Sequence, residues 1–128
     1  MPDSQKPVTK ILLVEDDVTI SNLYTTKLEL DGYEVLQAFN GLEGVKMATM
    51  STPDLVLIDL RMPVMDGEKF LQKFRKIDFS TPVIVLTNLS KEEAPKTLWH
   101  YGILGYFVKA HNTPKELVEI IQKTLKTA

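Results

Sequence analysis

The chain has 128 residues, of which 44% are hydrophobic and 25% are charged, and these values predict one globular domain rather than a disordered chain or a coiled coil. It contains no cysteine, which excludes a disulfide framework and a thiolate metal site and fits a cytoplasmic location. The formal net charge of -2 offers phosphate backbones no general attraction, and the apolar stretches are too short to span a membrane, so we expect neither nucleic acid binding nor membrane insertion.

Five β-rich runs alternate with stretches of helical periodicity along the chain. The runs are KILLV ending at Val14, YEVLQAF from Tyr33, DLVLID from Asp54, TPVIVLT from Thr81 and GYFVK from Gly105. The first, third and fourth runs are continuously apolar, which is typical of parallel strands that are covered on both faces. Five βα units with right-handed crossovers predict a doubly wound α/β fold, with a five-stranded parallel sheet in the flavodoxin-like order 2-1-3-4-5.

Sequence signals also mark several helix boundaries. Helix starts are predicted at Asn40, Asp66 and Thr113, because each is a favoured N-cap residue in front of a helical pattern. Helix ends are predicted at the Asp31-Gly32 and Tyr101-Gly102 pairs. In the first helix, the spacing predicts one apolar face that comprises Ile20, Leu23, Tyr24 and Leu28.

Charged and hydroxyl side chains follow four of the predicted strands at the point where each strand ends. The first strand ends in the acidic run Glu15 to Asp17, and the third ends in Asp59. The predicted order makes these strands neighbours, so at least three carboxylates converge, and their repulsion calls for a cation such as Mg²⁺, which prefers oxygen ligands. Thr87 and Lys109 end the fourth and fifth strands, and together these groups indicate a phosphoryl-transfer site.

The segments ILLVEDD, DLVLIDLRMPVMDG, PVIVLTN and GYFVKA resemble the receiver domains of bacterial two-component response regulators. The resemblance implies a flexible N-terminal tail at residues 1–8 and a receiver domain at residues 9–128. It implies a phosphorylation-dependent signalling switch of a phosphorelay rather than an enzyme, with a histidine kinase or histidine phosphotransfer protein as phosphodonor. We expect a monomer or weak dimer, and a lone receiver, since no DNA-binding segment follows Lys126.

The resemblance also implies a role for each residue of the acidic cluster. By position, Asp59 is the phosphoacceptor. Asp16 and Asp59 would bind Mg²⁺ directly, Arg61 would bind it through its backbone carbonyl, and Glu15 would bind it through water.

The same resemblance assigns the other two strand ends and a switch residue. Thr87 and Lys109 would bind the phosphoryl oxygens, and Tyr106 matches the switch aromatic that turns inward when Thr87 moves. The output protein would bind the face formed by the fourth helix, the fifth strand and the fifth helix.

Three other functions fit these residues less well. A phosphatase of the haloacid dehalogenase type needs a second acid two residues after its nucleophile, where this chain has Arg61. A flavodoxin needs a hydroxyl- and glycine-rich loop after the first strand, where this chain has the acidic run. The remaining alternative is a degenerate receiver that acts only as a protein-binding module, and the filled reactive positions argue against it.

Several residues depart from the pattern of the resembled family. Asn88 stands where a small residue is usual, and Arg61 and Leu89 flank the phosphorylation site. Leu89 offers no polar group to orient an attacking water, so we expect a long-lived phosphoryl group.

Two further departures concern the backbone. Ala110 replaces the family's proline after Lys109, and we expect a trans bond there, because a cis bond costs roughly 2.5–4 kcal/mol before a residue other than proline. Pro95 lies inside the predicted fourth helix, so that helix should start late, with Pro95 in its first turn.

Overall fold

The computed structural model describes residues 8–127, which form one five-stranded parallel sheet in the order β2-β1-β3-β4-β5. The strands are β1 Lys10–Val14, β2 Glu34–Ala38, β3 Leu55–Ile58, β4 Val83–Thr87 and β5 Gly105–Val108. The helices are α1 Val18–Leu30, α2 Gly41–Ser51, α3 Gly67–Ile77, a 3₁₀ helix at Lys96–Tyr101 and α4 Pro114–Thr127, with a short 3₁₀ turn at Lys109–His111. The predicted fold class and strand order are confirmed, whereas the predicted tail at residues 1–8 lies outside the described residues except for Val8.

Hydrophobic side chains cover both faces of this sheet, as the continuous apolar runs predicted. Because successive side chains of a strand point to opposite faces, Leu12 and Val14 pack with α2 and α3, while Ile11 and Leu13 pack with α1 and α4. All residues of β3 and β4 are buried. Each large apolar side chain buried in this way stabilises the fold by about 1.5–3 kcal/mol, so the strands are rigid mounts for the residues at their tips. Within residues 8–127, none of the helices combines the length and apolar character that crossing a bilayer requires.

The register of the strands sets the level along the sheet at which each candidate site residue lies. Val14 of β1 lies beside Ile58 of β3, so Glu15 and Asp59, the next residues, emerge side by side. The Asp59 amide donates to the Val14 carbonyl at 3.1 Å, which extends the ladder by one bond. Thr87 ends β4 at the same edge of the sheet.

Most predicted helix boundaries are found in the structure. Side-chain oxygens of Asn40, Asp66 and Thr113 accept the backbone N–H of the residue three positions later, at 2.8, 2.9 and 3.2 Å. At the helix ends, Gly32 and Gly102 have φ of +94° and +67°, a conformation that favours glycine.

The predicted apolar face of α1 is wrong at one position. Tyr24 and Leu28 are buried, but Leu23 is 57% exposed. Neighbouring residues of a helix lie about 100° apart around its axis, and the side of α1 that packs on the sheet is centred on Ser21, Tyr24 and Leu28, which leaves Leu23 facing solvent.

The segment after β4 confirms a late start for the fourth helix but not its predicted form. Ser90 caps a single turn, in which the Ala94 amide donates to the Ser90 carbonyl at 3.1 Å. Pro95 then leaves the helical conformation, with φ of −57° and ψ of 132°, and directly precedes the helix instead of lying in its first turn. The helix that follows is 3₁₀ rather than α, and the ring and missing N–H of Pro95 separate it from the capped turn.

Candidate functional site: an acidic cluster at the carboxyl end of the sheet

Three carboxylates meet at the tips of β1 and β3, as predicted from the sequence. Glu15, Asp16 and Asp59 each offer an oxygen, and these oxygens lie within 4.8 Å of one another. Glu15 is only 1% exposed and Asp59 only 6%, whereas Asp16 is open to solvent. Two of the three charges are therefore largely removed from water, where like charges repel one another most strongly.

Lys109, which directly follows β5, reaches into this cluster. Its Nζ atom lies 2.5 Å from Glu15 Oε1 and 3.1 Å from Asp59 Oδ2. Burial lowers the pKa of Lys109, but the bonds and charges of the two acids outweigh it and leave this pKa raised. The pKa of Glu15 is also raised, because burial penalises its charge more than Lys109 and the Asp17 amide favour it. Lys109 is therefore held in its charged form, the form that binds anionic oxygens.

Backbone amides hold the remaining oxygens of the two buried acids. Asp59 Oδ1 accepts the Arg61 amide at 3.2 Å, and Glu15 Oε2 accepts the Asp17 amide at 3.1 Å. Each carboxylate is thus fixed between an ammonium on one side and an amide on the other. This arrangement orients the Asp59 carboxylate before any reaction partner arrives.

The charges of the cluster fit a divalent cation. Three carboxylates against the one ammonium of Lys109 leave two negative charges unbalanced when all four groups are ionised. The donors are carboxylate oxygens without histidine or cysteine, which is the set that Mg²⁺ prefers. Glu15, Asp16 and Asp59 would hold Mg²⁺ here.

The loop between β3 and α3 runs closely behind Asp59. A Cβ atom on Gly67 would lie 2.3 Å from the Asp59 carbonyl oxygen, which is too close, so glycine is required at this position. The Gly67 amide donates to the Leu60 carbonyl at 3.0 Å, so α3 begins directly against the tip of β3. Within the loop, Val64 has φ of +69°, a conformation that costs a β-branched residue about 1–3 kcal/mol. The loop conformation is therefore imposed by its surroundings.

Thr87 and Tyr106 meet the same short stretch of backbone after β4. The buried Thr87 hydroxyl accepts the Leu89 amide at 3.4 Å. The Tyr106 hydroxyl donates to the Leu89 carbonyl at 2.6 Å and to the Ser90 carbonyl at 3.2 Å. Its half-buried ring packs against Trp99, with ring centroids 6.2 Å apart. The predicted phosphoryl-binding hydroxyl and the predicted switch aromatic are thus joined through Leu89.

The backbone after Lys109 is trans. No cis peptide bond occurs in the part of the chain that the structure describes, which confirms the expectation for the Lys109–Ala110 bond. The chain instead turns through the short 3₁₀ segment Lys109–His111, and the Asn112 side chain donates to the Val108 carbonyl at 2.9 Å. In this geometry Lys109 still reaches both buried acids.

One residue near the site was not singled out from the sequence. Glu93 accepts from both the amide and the hydroxyl of Ser90, at 3.2 and 2.8 Å, and lines the same cleft as Arg61 and Leu89. The available signal was the Ser90-x-x-Glu93 spacing of a capping box, which Pro95 obscured because it interrupts the helix that such a box would start.

Comparison with known proteins adds the family. The response regulator receiver domain family matches residues 11–122. The probable transcriptional regulator ycf27 of Porphyridium aerugineum is 36% identical over 117 residues, which cover 91% of this chain and 48% of that protein. Sporulation initiation phosphotransferase F of Bacillus subtilis is 33% identical over 116 residues, covering 91% of this chain and 93% of that protein.

A solved structure is similar to this chain over nearly its whole length. The chemotaxis protein CheY4 of Vibrio cholerae superimposes with a TM-score of 0.86 at 29% identity, covering 92% of this chain and 99% of that one. The chain spans about half the length of ycf27 and nearly all of the phosphotransferase and the chemotaxis protein. The acidic strand tips, the sheet order and these matches together lead to one conclusion: the chain belongs to the response regulator receiver domain family.

Proposed function

We propose that this receiver domain is a phosphorylation-dependent switch in which Asp59 accepts a phosphoryl group from a histidine kinase or a histidine phosphotransfer protein. The observation that carries the proposal is the Asp59 carboxylate itself. It is mounted on a buried strand tip, fixed by Lys109 and the Arg61 amide, and flanked by two further acids. Receiver domains are signalling modules that respond to phosphorylation, so family and geometry support the same role.

The chemistry follows from the groups around Asp59. One Asp59 oxygen attacks the phosphorus of a phosphohistidine, a new O–P bond forms, and the N–P bond breaks with its electron pair left on the imidazole nitrogen. Lys109 would move from Asp59 to a phosphoryl oxygen, and the Thr87 hydroxyl would donate to another. Mg²⁺, when bound, would neutralise charge on the transferring group. No catalytic activity beyond this transfer and its hydrolysis is proposed.

Output would depend on the segment after β4. If Thr87 turns its hydroxyl to the phosphoryl group, it releases the Leu89 amide, and Leu89 carries the change to Tyr106. The responding face comprises the 3₁₀ helix, β5 and α4, where an output protein would bind. We expect amide chemical shifts to change from Thr87 through Tyr106 to Trp99 on phosphorylation, and changes confined to the acids would contradict this switch.

A direct test uses acetyl phosphate and Mg²⁺ as the phosphodonor mixture, with intact mass as the measurement. The wild-type chain should gain one phosphoryl group, and Asp59→Asn should gain none. Asp66→Asn is the matched control, because Asp66 is exposed and asparagine preserves its N-cap. Phosphoryl incorporation by Asp59→Asn equal to that of the control would overturn the proposal.

The setting of this switch is also a proposal. We expect a cytoplasmic protein, a monomer or weak dimer, that binds its phosphodonor and one output partner. The relative ycf27 is named a probable transcriptional regulator, and this chain covers about half of it. Our expectation that residues 9–128 do not bind nucleic acid therefore concerns the receiver domain alone, and a binding measurement with duplex DNA would test it.

A further inference from the structure

A cleft separates the β3–α3 loop from the capped turn after β4, beside the mouth of the acidic cluster. Arg61 lines one wall of the cleft, and Leu89, Glu93 and Pro95 line the other. The backbone of Arg61 is part of the phosphorylation site, since its amide donates to Asp59 Oδ1. The exposed Arg61 side chain therefore lines a cleft that it shares with Glu93, and the acids Asp66 and Glu68 line the same cleft.

Glu93 holds the capped turn together. Its Oε1 atom accepts from the Ser90 amide and hydroxyl, and its own amide donates back to the Ser90 hydroxyl at 3.3 Å. The pKa of Glu93 is lowered, first by the Ser90 hydrogen bonds and also by the charge of Arg61. Among the described residues no ion pair within 4.0 Å joins Arg61 to Glu93, so Arg61 acts on Glu93 at a distance.

The capped turn is continuous with the switch residues. Tyr106 donates to the Leu89 and Ser90 carbonyls, and Ser90 is the residue that Glu93 caps. A change in the electrostatic surroundings of Glu93 therefore acts on the same backbone that Thr87 reaches through Leu89.

We propose that Glu93 is a positioning residue that competes with the phosphoryl group on Asp59 for the Arg61 guanidinium. This inference rests on the proposed function of Asp59. An aspartyl phosphate presents more negative charge and more acceptor oxygens than a single carboxylate, and a guanidinium binds phosphate with paired hydrogen bonds. Phosphorylation therefore draws Arg61 away from Glu93 and toward Asp59.

Two consequences follow from this competition. The capped turn loses the nearby positive charge just as the site gains negative charge, so Glu92 and Glu93 are repelled from the site and the turn moves with them. This gives the output segment a second input that is independent of Thr87. In addition, Arg61 on the phosphoryl group shields it from water, so Glu93 shortens the lifetime of the phosphoryl group by holding Arg61 back.

A double-mutant cycle tests the competition through the decay rate of the phosphoryl group after acetyl phosphate is removed. Glu93→Gln removes the charge but keeps the capping box, in which glutamine also serves. Because Glu93 is exposed and Arg61 acts on it at a distance, Glu93→Gln should slow decay only modestly, by about 2-fold. Glu92→Gln, the matched loss of one exposed charge at the next residue, should leave the decay rate unchanged. In the Arg61→Ala background, Glu93→Gln should have no effect.

A second measurement follows the output segment itself. On phosphorylation, Arg61→Ala should reduce the amide shift changes at Ser90 and Glu93 while those at Thr87 persist. Equal effects of Glu92→Gln and Glu93→Gln, or a Glu93→Gln effect that survives Arg61→Ala, would overturn the competition while leaving Asp59 as phosphoacceptor. A wild-type chain that takes up no phosphoryl group would instead overturn the proposed function, and this inference with it.

Discussion

The carboxyl ends and the amino ends of the strands, here called the carboxyl edge and the amino edge of the sheet, hold their buried charges in opposite ways. At the carboxyl edge, Lys109 faces two buried acids beside a third, and negative charge is left over. At the amino edge, the buried guanidinium of Arg75 donates to backbone carbonyls alone. Its four acceptors are the carbonyl oxygens of Tyr101 at 2.7 Å, Thr81 at 2.8 Å, Asp78 at 3.2 Å and Gly102 at 3.4 Å.

The difference separates a charge that the fold satisfies completely from charges that remain for the proposed phosphorylation site. Arg75 also lies over the rings of Phe74 and Phe79, at 5.5 and 5.3 Å, so the fold supplies its cation with aromatic partners as well as carbonyls. The acidic cluster has no such set of partners, so its excess negative charge would attract a cation, and that cation would neutralise an incoming phosphoryl group. The buried charge at Arg75 therefore fits a role in stability, whereas the unbalanced charge at the acidic cluster fits the proposed chemistry.

The largest effect should come from removing Arg75. Arg75→Met leaves four carbonyls without their donor and should lower the free energy of unfolding by about 3 kcal/mol, measured by urea denaturation. Arg61→Met is the matched control, because Arg61 is the chain's other arginine and is exposed, so its loss should change stability by no more than about 0.5 kcal/mol. Similar losses in the two variants would erase the contrast between the edges.

Magnesium should stabilise only the acidic edge. At a concentration ten times its dissociation constant, Mg²⁺ should add about 1.4 kcal/mol and raise the melting temperature by about 3–6 °C. Asp16→Asn should abolish most of this rise and increase the melting temperature without metal, since it relieves repulsion. Asp17→Asn, the neighbouring acid that caps α1, should keep the rise. A full rise in Asp16→Asn would mean that the cation binds elsewhere.

Low pH should reveal the contribution of a second charge that is satisfied by hydrogen bonds at the amino edge, the carboxylate of Asp78. The pKa of Asp78 is lowered from 3.8 to about 2, chiefly by the Thr81 hydroxyl and then by the Thr81 and Ser80 amides. Its stabilisation is therefore present above pH 3.8 and is lost as the pH falls through about 2. After allowance for solvent screening, Asp78→Asn should cost about 1 kcal/mol at pH 7, with the difference shrinking between pH 4 and pH 2.

Urea denaturation over that pH range measures the effect. Glu119→Gln, which removes an exposed acid of α4, is the control and should cost almost nothing at any pH. A loss in Asp78→Asn that stays constant down to pH 2 would show that packing, not charge, is responsible.

The smallest effect concerns water at the acidic edge. Leu89 is half-buried against the hydrophobic core and offers no hydrogen bond to an attacking water. Leu89→Glu should therefore speed phosphoryl decay by about 2-fold, if the new carboxylate orients water with about 0.5 kcal/mol, the low end for the net energy of one hydrogen bond. Leu89→Met keeps the side chain apolar and should decay like the wild type. Slower decay in Leu89→Glu would contradict this account of the lifetime.

The contrast between the edges also explains what could be predicted from the sequence. Glu15, Asp59 and Lys109 were found because each follows an apolar run, and the topology of parallel strands brings such positions together. Arg75 gave no signal, since a basic residue near a helix end is ordinary and two of its acceptors, Tyr101 and Gly102, belong to a distant part of the chain.

The 3₁₀ helix Lys96–Tyr101, predicted from the sequence as the fourth helix, was predicted only in part. Pro95 predicted where the helix could not run, and this was confirmed. Its 3₁₀ form depends on packing that no local pattern encodes: Leu98 is fully buried in the core, and Arg75 binds the carbonyls of Tyr101 and Gly102 at the helix end. Tertiary contacts therefore decide that this helix is 3₁₀, whereas Pro95 decides where it starts.

The break at Pro95 has a consequence for the energy landscape of the domain. It divides residues 90–101 into a capped turn and a 3₁₀ helix, and units this short gain little from helix propagation. Hydrogen exchange of their amides should proceed through local opening, whereas the amides of β3, enclosed between β1 and β4, should exchange only on global unfolding. The proposed nucleophile, Asp59, would then directly follow the slowest-exchanging strand, and the proposed response would lie in a fast-exchanging segment. A partner that selects the opened form can then be regulated through the population of that form rather than by rebuilding the core.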